Sequence, residues 1–328
     1  MLIPYELTTA NERLLLRWIN PDRLALRPGF FHEAVEALPQ EEQCAGLTPF
    51  DELLIGEGVE TQPAGLIFHT SRCGSTLVCQ MLKQHPRTLV LGEPFLLNQI
   101  VRHQRLSPSH KVAALRRCVG LWAQWAGETG RRLVIKLSSW NLMHVDLYQR
   151  AFSCPSLCLY RDYLSVLESL LRGTPKWLTA DWPPPPLFTG ANAELLPDAS
   201  LLAPQQSEAQ SADVKLLGAA AGTYLGFAQA MLAALASDAS ARVMGYESIA
   251  GASAALAEHF GLEPYSGLEQ DMLAATQRYS KGESTYAARD AKDEIKRLDA
   301  QLEQHYPAMR LALQEIYSRL QSHRQLLG

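Results

Sequence analysis

The sequence predicts an α/β fold with a mainly parallel central sheet and helices on both faces. Three observations predict it. The stretch Gly65 to Pro94, GLIFHTSRCGSTLVCQMLKQHPRTLVLGEP, reads as strand, glycine-bearing turn, helix, strand and then a lone acid. Two further apolar runs, Leu133 to Leu137 and Ser156 to Tyr160, join the first strand in ending on a polar group, as parallel strands do when they present a site at their carboxyl ends. A length of 328 residues suits one α/β domain with insertions and can bury a sizeable core.

In chain order, residues 1 to about 60 read mostly as helix and loop packed on the core, with Thr9 or Asn11 capping a helix through ERLLLRWI and Pro21 breaking it. Residues 61–290 form the α/β domain. Its first strand is the apolar run Leu66 to Phe68; Thr70 to Thr76 are then small, polar or basic around Gly74, and Leu77, Met81 and Leu82 repeat at helical spacing. Helical spacing continues from Phe95 to Trp125 across a break at Pro108. The Leu133–Leu137 strand carries Lys136 near its end, a short helix runs from Asn141 towards Phe152, and the Ser156–Tyr160 strand ends at Arg161. Residues 174–215 are rich in Pro, Ala and Ser, carry two tryptophans, and are expected to form a lid over a substrate.

Leu216 to Ser237 is uncharged and long enough to cross a bilayer. It is Ala- and Gly-heavy, with no aromatic belt or flanking basic asymmetry, so a buried helix in a soluble core is expected, with no membrane span. ARVMGYES gives a further strand ending in Tyr246 and Glu247, Ile249 to Phe260 a helix, QRYSKGESTYAARD a basic small-residue loop, and residues 291–328 a helical tail.

The formal net charge of −4 argues against a general nucleic-acid or anionic-membrane binder, so any anion site must be local. Six cysteines are scattered without a CxxC pair, which points to reduced, cytoplasmic usage. The first residues, MLIPYELTTANERLLL, lack a basic start followed by an apolar core and a cleavage site, so no export signal is expected.

The chemistry concentrates at Thr70 to Thr76. A helix beginning there aims free backbone N–H groups at the turn, where hydrogen bonding and the helix dipole both favour an anion. A nucleoside-triphosphate loop requires GxxxxGK[ST]; here Arg72 precedes Gly74 and Ser75 stands where the lysine should be, so ATP hydrolysis is not supported. GxGxxG is absent from this turn, which argues against a dinucleotide fold. His69, on the strand before the loop, reads as a structural core histidine, and Cys73 as loop packing, with a thiol pKa lowered by Arg72 and the helix N-terminus.

TSRCGST followed by a helix resembles the 5′-phosphosulfate loop of the sulfotransferases that use 3′-phosphoadenosine-5′-phosphosulfate (PAPS), whose architecture is P-loop-like. Those enzymes carry a second signature, an arginine after a strand and a serine eight positions later, which clasps the 3′-phosphate; LCLYRDYLSVLES supplies Arg161 and Ser169 at that spacing. MGYES resembles the segment whose tyrosine lies against the adenine, here Tyr246, and RYSKG resembles a loop closing on the 3′-phosphate, here Lys281 and Gly282. The resemblance spans roughly Leu66 to Gly282.

It implies donor binding by Arg72, Cys73, Gly74, Ser75 and Thr76, with Lys136 near the transferred group and no metal. One departure is informative. Many cytosolic members carry a catalytic histidine two residues after the strand lysine, and Ser138 stands there in this chain. The tyrosylprotein branch instead uses a glutamate twenty-one positions after the loop arginine, and that count from Arg72 lands on Glu93. The expected reaction is sulfuryl transfer from PAPS to a small-molecule or peptide hydroxyl, with Glu93 as general base and Lys136 and Arg72 stabilising charge. Two alternatives stand beside it: a nucleotide-dependent kinase or other phosphotransferase with a degenerate loop, where Asp162 mimics a metal-binding acid, and a non-catalytic nucleotide-binding protein; the plain structural reading of Arg161 and Asp162 is that they pair with each other.

Overall fold

The computed structural model describes residues 1–26, 29–55, 61–179, 195–202, 211–277, 288–323 and 327. The chain begins with three antiparallel strands, β1 (Ile3–Ala10), β2 (Arg13–Ile19) and β3 (Gly46–Pro49). This corrects the helix expected through ERLLLRWI. Asn11 and Glu12 adopt φ of 48° and 64°, so the presumed cap is the two-residue turn of a hairpin. Ile3, Tyr5 and Leu7 alternate inward. The small sheet is tied to the α/β domain by hydrogen bonds between Leu7 backbone and the Gln99 side chain (2.7 and 2.8 Å) and from Trp122 Nε1 to Pro4 O (2.8 Å).

Five parallel strands then form the central sheet: β4 (Gly65–His69), β5 (Thr88–Gly92), β6 (Arg132–Lys136), β7 (Ser156–Tyr160) and β8 (Arg242–Gly245), in the order β5-β6-β4-β7-β8. Alternate residues feed separate apolar clusters. Leu66, Phe68, Leu89, Leu91, Leu133 and Ile135 face one, while Ile67, Val90, Val134, Leu157 and Leu159 face the other. That period of two places helices on both sheet faces, as expected for parallel strands buried on each side. The helices Ser75–Leu82, Ser253–His259 and Leu268–Gln277 cover one face; Pro108–Glu128, Tyr163–Arg172 and Ala212–Ser237 cover the other.

The Ala-rich helix lies inside the protein, with its most apolar stretch 83% buried. It packs on the Tyr163–Arg172 and Pro307–Gln321 helices, and Tyr224 reaches from it to donate its hydroxyl to Arg161 O (2.8 Å). The C-terminal region is two helices, Ala288–His305 and Pro307–Gln321, broken at Tyr306. Of the Pro-rich stretch, 180–194 and 203–210 lie outside the described residues, and its last four residues already belong to the Ala212–Ser237 helix.

Candidate active site

Each strand of the central sheet delivers one functional group at its carboxyl end: His69 from β4, Glu93 after β5, Lys136 from β6, Arg161 after β7 and Tyr246 after β8. The turn after β4 is tightly wound, with Ser71 at φ 69°, Arg72 at 48° and Gly74 at 81°. Left-handed backbone of this kind costs non-glycine residues roughly 1–3 kcal/mol each and turns successive N–H groups into one concavity, which the Ser75–Leu82 helix continues with its free amino-terminal donors. Gly74 is required twice over, since a Cβ there would also sit 2.7 Å from Ile249 Cδ1 and 2.8 Å from Tyr246 Cδ2.

The strain is held by bonds from outside the turn. Thr70 N donates to Leu159 O (3.0 Å), Ser71 N to His69 Nδ1 (3.1 Å), and Arg72 Nη2 to Gly173 O (3.1 Å). Cys73 is buried with its Sγ 3.3 Å from Leu159 O. Burial pushes its thiol up to about 11, so the lowered pKa expected from Arg72 and the helix N-terminus is not found.

Glu93 follows β5 in a left-handed conformation of its own, φ 48°, and its N–H bonds to Lys136 O at 2.7 Å. Lys136, almost fully buried, forms an ion pair with Glu93 Oε1 and lies 5.0 Å from the centroid of the Phe30 ring. His69 Nε2 stands 3.7 Å from the same carboxylate oxygen. Burial alone would raise the Glu93 pKa; the Lys136 charge, reinforced by His69, overcomes it and holds the carboxyl at about 2. Burial also holds the His69 pKa below its ordinary value, leaving a neutral imidazole.

On the other side of the turn the Arg161 guanidinium lies over the Tyr246 ring, 4.4 Å from its centroid. Asp162 accepts from Ser165 N (2.8 Å) and Ser165 Oγ (2.9 Å), so it caps the Tyr163–Arg172 helix that carries Ser169. Ser138, two residues after Lys136, is buried and accepts from Asn98 Nδ2 (3.0 Å). That bond extends through Asn141 (2.7 Å) to the Tyr148 hydroxyl (2.9 Å), a structural network behind the end of β6.

Arg72, Cys73, Gly74, Ser75, Thr76, Glu93, Lys136, Arg161, Ser169 and Tyr246 line one cleft of about 610 Å³. Lys281 and Gly282 lie outside the described residues. Four cationic side chains (Arg72, Lys136, Arg161, Arg172) face a single carboxylate, Glu93, among the described residues of that lining. A chain of net charge −4 thus concentrates positive charge here.

Comparison with known proteins adds distant structural likenesses. No family model matches the chain, and no curated protein does. Among solved structures, a sulfotransferase from Mycobacterium tuberculosis is similar over 74% of this chain and 77% of its own, with 12% identity and a TM-score of 0.44. The sulfotransferase domain of a Synechococcus olefin synthase is similar over 73% of this chain and 95% of its own, with 14% identity and a TM-score of 0.38.

Several lining residues carry no signal in the sequence. Phe30, which lies over Lys136, and Trp140, Pro175 and Trp177 give the same cleft its apolar lining, with the two indoles edge to face at 6.3 Å. Phe30 arrives through a backbone contact without local signal: a Cβ on Gly92 would lie 2.1 Å from Gly29 O, so the two chain segments meet only because that residue is glycine. Trp177 is visible as one of two tryptophans in the Pro-rich stretch, but nothing in its sequence surroundings places it at the cleft.

Proposed function

We propose that this chain transfers a sulfuryl group from PAPS to a hydroxyl-bearing acceptor, with Glu93 as general base. One observation carries the reading: a tight turn at a helix amino terminus, a local surplus of positive charge and a carboxylate–lysine pair open onto the same cleft. In this reading the turn amides, Arg72, Ser75 and Thr76 hold the phosphosulfate, Arg161 and Ser169 the 3′-phosphate, and Tyr246 the adenine. The wall of Phe30, Trp140 and Trp177 receives the acceptor.

The acceptor hydroxyl gives its proton to Glu93 as its oxygen bonds to sulfur, and the bond from sulfur to the 5′-phosphate oxygen breaks. Lys136 neutralises the charge gathering on that leaving oxygen. A carboxylate held at about 2 by Lys136 is a weak base. Once Lys136 turns to the leaving oxygen, burial becomes the dominant influence on Glu93 and its basicity rises, so the base is activated only when the donor is seated.

Isothermal titration with 3′-phosphoadenosine-5′-phosphate tests the class: well-folded protein that binds none of it overturns the reading. Glu93→Gln is expected to keep that affinity and lose roughly 10²-fold or more in turnover; a fully active variant would remove Glu93 as the base. The phosphotransferase alternative draws no support from Asp162, whose Oδ2 caps the Tyr163–Arg172 helix and which is not among the described lining residues of the cleft.

A further inference from the structure

We propose that His69 is a positioning residue that ties the anion-binding turn to the general base, a role that goes beyond core packing and rests on the sulfuryl-transfer reading for what Glu93 does. The imidazole closes β4 and is nearly inaccessible, with 6% of its side chain exposed. Its Nδ1 accepts the N–H of Ser71 at 3.1 Å, and Ser71 is the residue that starts the left-handed turn at φ 69°. A neutral ring that accepts at Nδ1 carries its proton on Nε2. That Nε2 lies 3.7 Å from Glu93 Oε1 and has no partner within hydrogen-bond distance.

The tautomer decides the role. With one nitrogen accepting from Ser71 and the other protonated, His69 has no lone pair left with which to deprotonate an acceptor; it is a donor 3.7 Å from the carboxylate. The ionisable groups facing Glu93 are Lys136 from β6 and His69 from β4. When Lys136 turns to the leaving oxygen, the His69 Nε2–H is the donor that remains to orient the carboxylate, closing the last part of the 3.7 Å gap. The same ring holds Ser71 in its left-handed conformation, so the seat of the donor and the orientation of the base share one side chain.

Long-range ¹H–¹⁵N spectra of the imidazoles near neutral pH, on the wild type and on Glu93→Gln, test the link without turnover. The expected result is a neutral, Nε2-protonated His69 whose Nε2 signals move in Glu93→Gln. An Nδ1-protonated ring, or signals that Glu93→Gln leaves in place, overturns the proposal.

Two variants then separate the contacts. His69→Asn keeps an acceptor near Ser71 N–H and deletes the donor to Glu93; it is expected to bind 3′-phosphoadenosine-5′-phosphate within about twofold of wild type and to lose about tenfold or more in kcat, with the acceptor KM held. His69→Gln keeps a donor towards Glu93 and releases Ser71; it is expected to weaken nucleotide binding while retaining more kcat at saturation. Equal losses in both variants, in both readouts, overturn the proposal in favour of packing alone. A wild type that binds no nucleotide would remove the sulfuryl-transfer reading, and the tautomer with its response to Glu93→Gln would still decide the link between turn and carboxylate.

Discussion

Acidification and Glu93→Gln together give a quantitative handle on the buried pair. A carboxyl held at about 2 in the folded protein against an ordinary value of 4.5 contributes about 3 kcal/mol of pH-linked stability, at about 1.4 kcal/mol per tenfold. Because the folded value is the lower one, this contribution is fully present above the unfolded value and is lost as pH falls through the folded value. About 2 kcal/mol of it is gone by roughly pH 3. In Glu93→Gln the group no longer titrates, and the buried Lys136 charge stands without its partner, which costs on the order of 3–5 kcal/mol at neutral pH. Urea unfolding of both proteins at about pH 6 and about pH 3 should therefore show the variant much weaker at the higher pH and the gap narrowing by about 2 kcal/mol at the lower. A gap that stays constant across that range would refute the strong pairing that makes Glu93 a weak base at rest.

Arg161→Ala should weaken 3′-phosphoadenosine-5′-phosphate roughly tenfold to a hundredfold, the worth of charge-assisted bonds of about 1.5–3 kcal/mol; an unchanged Kd by titration calorimetry would place the 3′-phosphate elsewhere. Gly74→Ala combines φ of 81° with a methyl 2.7 Å from Ile249 Cδ1. It should destabilise by about 1–2 kcal/mol or more, and an unaltered Tm would refute the tight fit. Cys73, at about 11, should resist iodoacetamide in the folded protein and label only on unfolding; rapid labelling of the native chain, read by mass spectrometry, would contradict its burial.

The strands were legible because their signal is local. A parallel strand with both faces covered is an apolar run, and Leu66–Phe68, Leu133–Ile135 and Ser156–Tyr160 each show one before a turn. The turn itself was legible for a related reason, since a run of small, polar and basic residues around Gly74 separates an apolar strand from a helical stripe. The N-terminal hairpin was not. ERLLLRWI fits a helical stripe, and what makes it a strand lies in the positive φ of Asn11 and Glu12 and in its pairing with β1 on one side and β3, about thirty residues on, at the other. His69 read as core because its environment is core; only the Ser71 N–H on Nδ1 and the carboxylate beyond Nε2 set it apart. For Cys73 the helix N-terminus suggested an acidic thiol, but enclosure within the second apolar cluster outweighs it.

The meeting of Gly29 with Gly92 has a consequence for how such a cleft changes over time. The glycine-bearing turn and the carboxylate–lysine pair are built by the central sheet, whereas Phe30 enters from a stretch about sixty residues upstream, seated by a contact between two backbones. A seam made of main chain places few demands on the side chains at either margin. On the proposed reading, the upstream stretch is an exchangeable cassette: its sequence can drift, or be swapped from a homologue, to recut the acceptor wall while the donor half is inherited unaltered, provided Gly92 at the end of β5 is kept.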